Sequence, residues 1–215
     1  MLLGLAAVAV LVVAGGYAVL ALTGGDAPPP PELSGKPGGG AAGAAGVQRW
    51  RPLARQGTFV GYRVEEDYLG VGARTAVGRS SAVSGAVTVD GERISAADLT
   101  VDMRTVHSDQ SRRDETLGYR GIETQRFPTA RFTLTAPVAV SAAARRTTGT
   151  LTLHGRRVPI EVTVRGQRVA GGRLELVGSA PIRFARFAIE PPSVAGLVTV
   201  RDHGLLEFRL VLARG

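Results

Sequence analysis

Apolar and polar residues alternate along most of the chain between residues 60 and 212, which is the pattern of strands with one buried face. In residues 97–104, for example, Leu99 and Val101 fall on one face and Asp98 on the other. Short turn sequences separate such runs, and links this short join antiparallel neighbours. The pattern predicts about eight antiparallel strands.

A strand set of this size must bury one apolar face and protect its edges, and closure into a barrel does both. We therefore expect an all-β, antiparallel up-and-down barrel, with a two-sheet sandwich as the alternative that periodicity leaves open. A small barrel can hold one elongated apolar ligand, or side chains can fill it solid. The last run is predicted as two strands, Val198–Val200 and Leu206–Leu212, linked through a turn at Asp202-His203-Gly204.

One stretch, residues 108–134, breaks the strand rhythm and is predicted to hold a short charged helix. Ser111 and Asp114 have the Ser-x-x-acid spacing of a helix N-terminal cap. Glycines and then Phe127-Pro128 end the helix, because the residue before a proline is driven out of the α region. We expect this helix to cross one end of the barrel.

Residues 1–22 carry no charged side chain and, as a helix, would span roughly 30 Å, the thickness of the hydrocarbon core of a bilayer. We predict a single-pass transmembrane anchor over residues 1–23, with a cleaved secretory signal as the alternative. Residues 24–46, rich in Pro, Gly and Ala, are predicted to be a disordered linker. The folded domain is then residues 47–215, which we expect on the extracytoplasmic side of the cell membrane.

Composition narrows the function classes. The chain is 44% hydrophobic and 20% charged, which indicates a folded protein. It has no cysteine, which excludes disulfides, thiolate metal sites and thiol catalysis. The net charge of +8 comes from scattered arginines, and aromatic residues make up only 5%, so a nucleic-acid groove is not expected. Mild attraction to anionic lipid head groups fits better.

The sequence contains no nucleophile elbow, phosphate-binding loop or dinucleotide fingerprint. Glu65 and Glu66 are neighbours on a predicted strand, so their side chains point to opposite faces and cannot both enter one cleft. His107, His154 and His203 are isolated from other metal-ligating residues, and we interpret them as solvated turn residues. We expect no catalytic residue, no metal site and no cofactor.

Several motifs resemble those of the YceI-like polyisoprenoid-binding proteins, over about residues 58–212. They are Asp102-Met103, Ser108-Asp109, Arg113-Asp114, Arg126-Phe127-Pro128-x-Ala130-x-Phe132, Gly149-x-Leu151-x-Leu153-x-Gly155 and Arg201-Asp202-x-Gly204-x-Leu206-Glu207-Phe208. The chain departs from the family pattern at Ile122-Glu123, where many members have an acidic or aromatic pair. The resemblance implies an extended lipocalin-like barrel.

What the resemblance implies is binding rather than bond-breaking: an isoprenoid chain of a polyprenyl lipid or a quinone would lie in the barrel. Apolar lining alone can hold it, since each buried methylene contributes about 0.8 kcal/mol. Arg113 and Asp114 are expected at the barrel mouth, where they would meet a ligand head group or else cap and pin the helix. The predicted lining residues are Val60, Tyr62, Leu99, Val101, Phe132, Leu134, Leu151, Leu153, Phe184 and Phe208.

The favoured function is therefore an envelope lipid-binding protein that transports, stores or sequesters an isoprenoid lipid or quinone at a membrane. The alternative is a structural or interaction barrel with a solid core, and an enzyme acting on a lipid is the least favoured class. No nucleic-acid partner is expected, and a homodimer stays open.

Overall fold

The computed structural model of the protein describes residues 26–34, 46–54, 56–194 and 196–215. The predicted transmembrane anchor at residues 1–23 lies outside these ranges. Within them, no helix is long and apolar enough to cross a membrane.

Strands make up most of the described chain, and a single short α-helix interrupts them. The helix, α1 (Ser111–Thr116), runs into a wider π-helical turn at Leu117–Gly121, and single 3-10 turns lie at Met103–Thr105 and Phe184–Phe187. The strands are β1 (Val47–Pro52), β2 (Phe59–Tyr68), β3 (Gly72–Ser80), β4 (Val83–Asp90), β5 (Arg93–Asp102), β6 (Thr129–Leu134), β7 (Val138–Ala139), β8 (Arg145–Leu153), β9 (Arg156–Val169), β10 (Arg173–Ile182), β11 (Ser193–Val194) and β12 (Val198–Arg214).

The sheet closes on itself. Its order is β1-β4-β5-β6-β8-β9-β10-β12, and β12 pairs back to β1 at Trp50 and Arg214. All of these pairings are antiparallel, so the predicted up-and-down barrel is confirmed and the sandwich alternative is wrong. The β2–β3 hairpin pairs through β2 with Val198 to Arg209 of β12 and extends the wall at that end.

The predicted turn at Asp202-His203-Gly204 is wrong. These residues lie inside β12, a continuous strand of 17 residues whose register shifts between Val200 and Gly204. A β-bulge absorbs the extra residues without reversing the strand, because β2 continues to pair on both sides of it. From sequence, the Asp-x-Gly signal of a turn and that of a bulge are alike.

The two ends of the barrel differ. At the Trp50 end, Trp50, Leu174 and Leu212 are 1%, 0% and 0% exposed and fill the interior. Val47 pairs with Asp90 at the outer limit of this end. The helix end is the opposite one, since β5 runs from Arg93, beside Asp90, to Asp102, from which the chain leads into α1.

The predicted helix exists, but its cap differs from the prediction. The N-terminal cap residue is Gln110, and its side chain makes no capping hydrogen bond. The carboxylate of Asp114 instead accepts hydrogen bonds from the N–H and O–H of Ser108, at 3.0 and 2.6 Å. Ser108 offers two donors on one residue, whereas the expected partner, Ser111, lies within the first turn.

Residues 26–34, which we call the strap, lie along the outer wall, whereas the sequence predicts a disordered linker over residues 24–46. Ser34 donates its N–H and O–H to one carboxylate oxygen of Glu175, at 2.9 and 2.8 Å. Arg63 and Arg79 donate to the carbonyls of Pro28 and Pro29, at 2.5 and 3.1 Å. A proline run favours this docking, because it is already extended and its carbonyls have no internal partners.

Two carboxylates on the outer wall are buried where the strap lies. Glu207, 2% exposed, pairs with Arg63 and Arg79 at 3.0 and 2.7 Å. Glu175, 0% exposed, lies 2.8 Å from Arg209. Burial alone would raise the pKa of Glu175, but the hydrogen bonds from Ser34 and Gln167, with the charge of Arg209, outweigh it and lower that pKa.

Ser34→Ala should weaken strap docking, because it removes one donor from a buried carboxylate. A hydrogen bond to a charged group contributes about 1.5–3 kcal/mol, so exchange protection of the residue 34 amide should fall by roughly 10- to 100-fold. Hydrogen exchange measured by NMR checks this. Glu32→Ala is the control, since Glu32 is an exposed strap residue and should leave protection unchanged. Equal protection in all three proteins would contradict the docking.

Candidate functional site

The barrel encloses a cavity of about 250 Å³ that lies between the filled Trp50 end and α1. Side chains from the strands of the ring point into it, as the alternation predicts. Leu176 and Leu210, next to the filled end, form its floor. All ten predicted lining residues line this cavity: Val60, Tyr62, Leu99, Val101, Phe132, Leu134, Leu151, Leu153, Phe184 and Phe208. Their role in ligand binding stays a prediction.

Aromatic rings lie flat against the barrel wall, over glycines of the neighbouring strands. A Cβ at Gly78 would be 2.4 Å from the Tyr62 ring, and one at Gly149 would be 2.2 Å from the Phe132 ring. Any side chain at these glycines would push the rings toward the barrel axis. The glycines therefore help keep the interior hollow, and a glycine across from an aromatic residue is a sequence signal that our prediction did not use.

The end of the cavity nearest α1 is polar. Arg113, on α1, donates through Nε and Nη2 to the two carboxylate oxygens of Glu66, at 2.8 and 3.0 Å. Tyr68 donates its hydroxyl to Glu66 at 2.8 Å, and Asp109 lies 2.5 Å from Arg113. The ion pair of Arg113 and Glu66 is largely buried, with side chains 13% and 7% exposed. It joins the helix to the barrel wall.

Sequence reasoning missed the role of Glu66. Its side chain enters the cavity, while that of Glu65 points outward and pairs with Arg201. The predicted opposite orientation of the two glutamates is thus correct. The signal was available: Glu66 is a lone acid on the face that carries Tyr62 and Val64. A buried acid of this kind needs a cation, and Arg113 supplies it.

The charges at this end shift the pKa values of their neighbours. Burial would lower the pKa of Arg113, but the hydrogen bonds and charges of Glu66 and Asp109 outweigh it and raise that pKa. Burial, with the hydrogen bond to Glu66, raises the pKa of Tyr68 to about 12. Arg113 is therefore always charged and Tyr68 always neutral near pH 7.

The Tyr62 hydroxyl is the unsatisfied group of the cavity. Its oxygen is buried and has no hydrogen-bond partner among the described residues. Burial raises the pKa of Tyr62, and the nearby Arg113 charge lowers it by less, so the hydroxyl stays protonated. A buried donor without a partner is unfavourable by about 1–3 kcal/mol, and a ligand acceptor at this position would remove that penalty.

Arg113 and Asp114, both predicted at the barrel mouth, take different positions in the structure. Arg113 lines the cavity and also pins the helix, so it occupies both positions considered from sequence. Asp114 is not among the lining residues, and its carboxylate holds Ser108 instead. At the helix end, the lining residues include Gln110 and exposed Arg112, at the start of α1, and residues 191–192, and we take the gap between them as the opening of the cavity. We call this opening the mouth.

The interpretation of the histidines as solvated turn residues holds only in part. The side chain of His154 is 11% exposed, packs edge-on against Phe127 at 4.4 Å, and places Nδ1 3.0 Å from the carbonyl oxygen of Phe187. His203 lies within β12 rather than in a turn. His107, at 75%, and His203 are both exposed, as predicted. Packing of the β8–β9 tip against the helix end buries His154, which its turn position did not indicate.

Comparison with known proteins identifies relatives of this barrel. A family model described as a YceI-like domain matches residues 53–212. A solved polyisoprenoid-binding domain from Saccharophagus degradans matches at 17% identity over 79% of this chain and 99% of its own, with a TM-score of 0.58. BcnA from Burkholderia cenocepacia matches at 19% identity over 75% and 99% of the two chains, with a TM-score of 0.57.

At these identities, the solved structures establish a common fold and nothing further. A comparison with curated protein sequences found no match.

Arg113→Met should lower the free energy of unfolding by about 3–5 kcal/mol, because it leaves Glu66 buried without a cation. The double variant Glu66→Gln with Arg113→Met should recover most of this loss. Arg131→Met is the matched control: Arg131 pairs with Asp98 on the surface, with side chains 59% and 50% exposed, and should lose less than about 1 kcal/mol. Denaturant unfolding followed by fluorescence of Trp50, the single tryptophan, measures all three. Equal losses in the single and double variants would contradict this account.

Proposed function

This chain belongs to the YceI-like domain family, and on that premise we propose that its barrel binds the chain of an isoprenoid lipid, of the polyprenyl or quinone type. The observation that carries the proposal is the hollow interior: a closed, mostly apolar wall with the buried ion pair of Glu66 and Arg113 at one end. The Saccharophagus degradans relative, described as a polyisoprenoid-binding domain, has the same fold and is consistent with this ligand class.

The cavity wall suits a branched hydrocarbon chain. Each methylene transferred from water contributes about 0.8 kcal/mol, so a few isoprene units would gain on the order of 10 kcal/mol before the entropy of binding is subtracted. Hydrogen-bonded strands wall the cavity, so little rearrangement of the protein is needed to form the site. Leu99 and Leu134 of the wall, and Phe132 beside them, would contact the chain.

Inside the cavity, the polar groups around Tyr62 favour a neutral head group over a phosphate. Arg113 is already paired with the carboxylates of Glu66 and Asp109, and a phosphate would have to approach both acids to reach it. The Tyr62 hydroxyl, in contrast, is a free donor. A quinone carbonyl or an alcohol oxygen could accept from it without bringing in charge. Within the isoprenoid lipids, we therefore propose a quinone-type ligand first.

We further propose that residues 1–23 hold the protein at a membrane, with the barrel on the extracytoplasmic side, and that the protein carries, stores or sequesters its lipid there. The support is the sequence of this segment, which is apolar and free of charge over a bilayer-spanning length. The proposed role is non-catalytic, in keeping with the ion pairs that engage Arg113, Glu66 and Asp109.

A solid-core structural barrel was the alternative from sequence. The cavity counts against it, because a protein that needed only a rigid barrel would gain stability by filling the space with side chains.

The full-length protein, extracted in mild detergent, should carry an isoprenoid lipid that native mass spectrometry detects. Leu134→Arg should reduce the loaded fraction, because it places a charge in the apolar cavity. Leu205→Arg is the control: it adds the same charge at an exposed site on β12 and should leave loading unchanged. A wild-type protein that neither carries nor takes up an isoprenoid would overturn the proposal, and Trp50 fluorescence would verify that each variant is folded.

Tyr62→Phe should weaken binding of a quinone by up to roughly 10-fold, the equivalent of one hydrogen bond of about 0.5–1.5 kcal/mol, and should leave binding of an isoprenoid hydrocarbon unchanged. Titration of delipidated protein with ubiquinone and with squalene measures both affinities. An equal change for the two ligands would mean that Tyr62 acts by shape and not as a donor.

A further inference from the structure

Large apolar side chains are exposed at the helix end. Leu69 and Val71, 74% and 41% exposed, form the tip of the β2–β3 hairpin. Tyr119, 75% exposed, lies in the turn after α1. These are three of the five large hydrophobic side chains exposed in the described residues. Of the other two, Val47 lies at the Trp50 end and Leu205 on the outer wall.

The mouth opens at this same end. Its rim is formed by Gln110 and Arg112, at the start of α1, and by Pro191-Pro192. The β2–β3 tip stands beside this rim, where the N–H of Leu69 donates a hydrogen bond to the carbonyl of Leu197. Isolated exposed hydrophobic residues are common on proteins. Their concentration around the opening of an apolar cavity indicates a surface that meets an apolar partner.

The direction in which the strap runs along the barrel wall indicates what this apolar partner is. Ser34 is hydrogen-bonded to Glu175, whose register partner in β12 is Val211. Pro28 is hydrogen-bonded to Arg63, whose register partner in β12 is Leu205. From Val211 to Leu205, β12 leads away from the Trp50 end and toward the helix end. Followed back toward the N-terminus, the strap therefore leads toward the mouth.

Chain length then limits where the apolar segment can be. From Pro28 back to Leu22 is six residues, at most about 20 Å of extended chain. From Arg63 to the hairpin tip at Leu69 is also six residues, about 20 Å of strand. The two lengths, one along the N-terminal chain and one along β2, start from the same point, the contact of Arg63 with Pro28. The end of the apolar segment can thus reach the level of the hairpin tip and little farther.

Charge at this end agrees with a lipid partner. Arg74, Arg112 and Arg120 are exposed and make no ion pair within the described residues, and the exposed acids near them include Glu115 and Glu190, which precedes Pro191 at the mouth. A basic residue is attracted to an anionic membrane surface. An exposed tyrosine beside leucine and valine is also the composition of an interfacial contact, because its ring is apolar and its hydroxyl polar.

We infer that the helix end is a membrane-docking surface: Leu69, Val71 and Tyr119 enter the interfacial layer of a bilayer and the mouth faces the lipid. The docked strap holds the barrel in this orientation instead of letting it move freely on its tether. The inference rests on the proposed membrane anchor at residues 1–23. It gives the cavity a direct exchange route, in which an isoprenoid passes between bilayer and barrel without crossing water.

The absence of cysteine in the sequence makes the test direct, because each introduced cysteine is a unique labelling site. Leu69→Cys, Tyr119→Cys and Val47→Cys are labelled with the fluorophore NBD in the full chain, reconstituted in phosphatidylcholine vesicles with phosphatidylglycerol. Val47 is the matched control, since it is 71% exposed against 74% for Leu69 but lies at the opposite end. Nitroxide-labelled lipids should quench most of the fluorescence at positions 69 and 119 and none at position 47.

Absence of quenching at positions 69 and 119, equal quenching at all three sites, or failure of the full chain to stay with the vesicles would each overturn the inference. Insertion of a flexible Gly/Ser segment after Thr23 should reduce quenching at position 69, because it uncouples the strap from the bilayer; unchanged quenching would mean that the strap does not orient the barrel. A protein that carries an isoprenoid but shows no quenching keeps the proposed function and loses the docking surface. Quenching without any lipid uptake would support the docking surface and contradict the proposed function.

Discussion

Closure of the sheet through β12 is the constraint on which the rest of the structure depends. One edge of this strand pairs with β10, while the other pairs first with β2 and then with β1. Its bulge lies within the stretch paired with β2 and lets the strand continue without ending. Closure removes exposed sheet edges and turns all inward side chains toward one space. The β2–β3 hairpin, carried on the same strand, extends that space at one end, where α1 crosses it.

A closed barrel is not automatically hollow. Here Trp50 and its neighbours fill one end, while glycines such as Gly78 let aromatic rings lie against the wall. The helix that covers the other end is joined to the wall by the buried pair of Arg113 and Glu66. The same pair neutralises the charge at the polar end of the cavity, so these residues both hold the helix and line the cavity. Among the described residues that line the cavity, the neutral donor left without a partner is the Tyr62 hydroxyl.

The outer wall carries a second buried network, and its carboxylates lie beneath the proline strap. Glu175 and Glu207 bind arginines, and those around Glu207 also bind the strap carbonyls. A proline-rich segment between an apolar sequence and a domain is ordinarily a spacer. Here it is part of the domain surface and gives the chain a fixed direction at the barrel wall. Function would then depend on orientation as well as on the cavity.

The sequence by itself determined the alternation, and with it the barrel class, the inward residues and the opposite orientations of Glu65 and Glu66, because side-chain direction in a strand is a local property with a period of two. It also placed the short helix α1. Only the tertiary structure decided that His154 is buried, that the strap is docked, and that Glu66 pairs with Arg113. Each of these joins residues far apart in the chain, and local pattern contains no information on which distant partner a side chain will meet. The cavity, too, was decided by the tertiary structure. An inward-pointing residue either lines a cavity or packs in a solid core, depending on which side chains face it across the barrel.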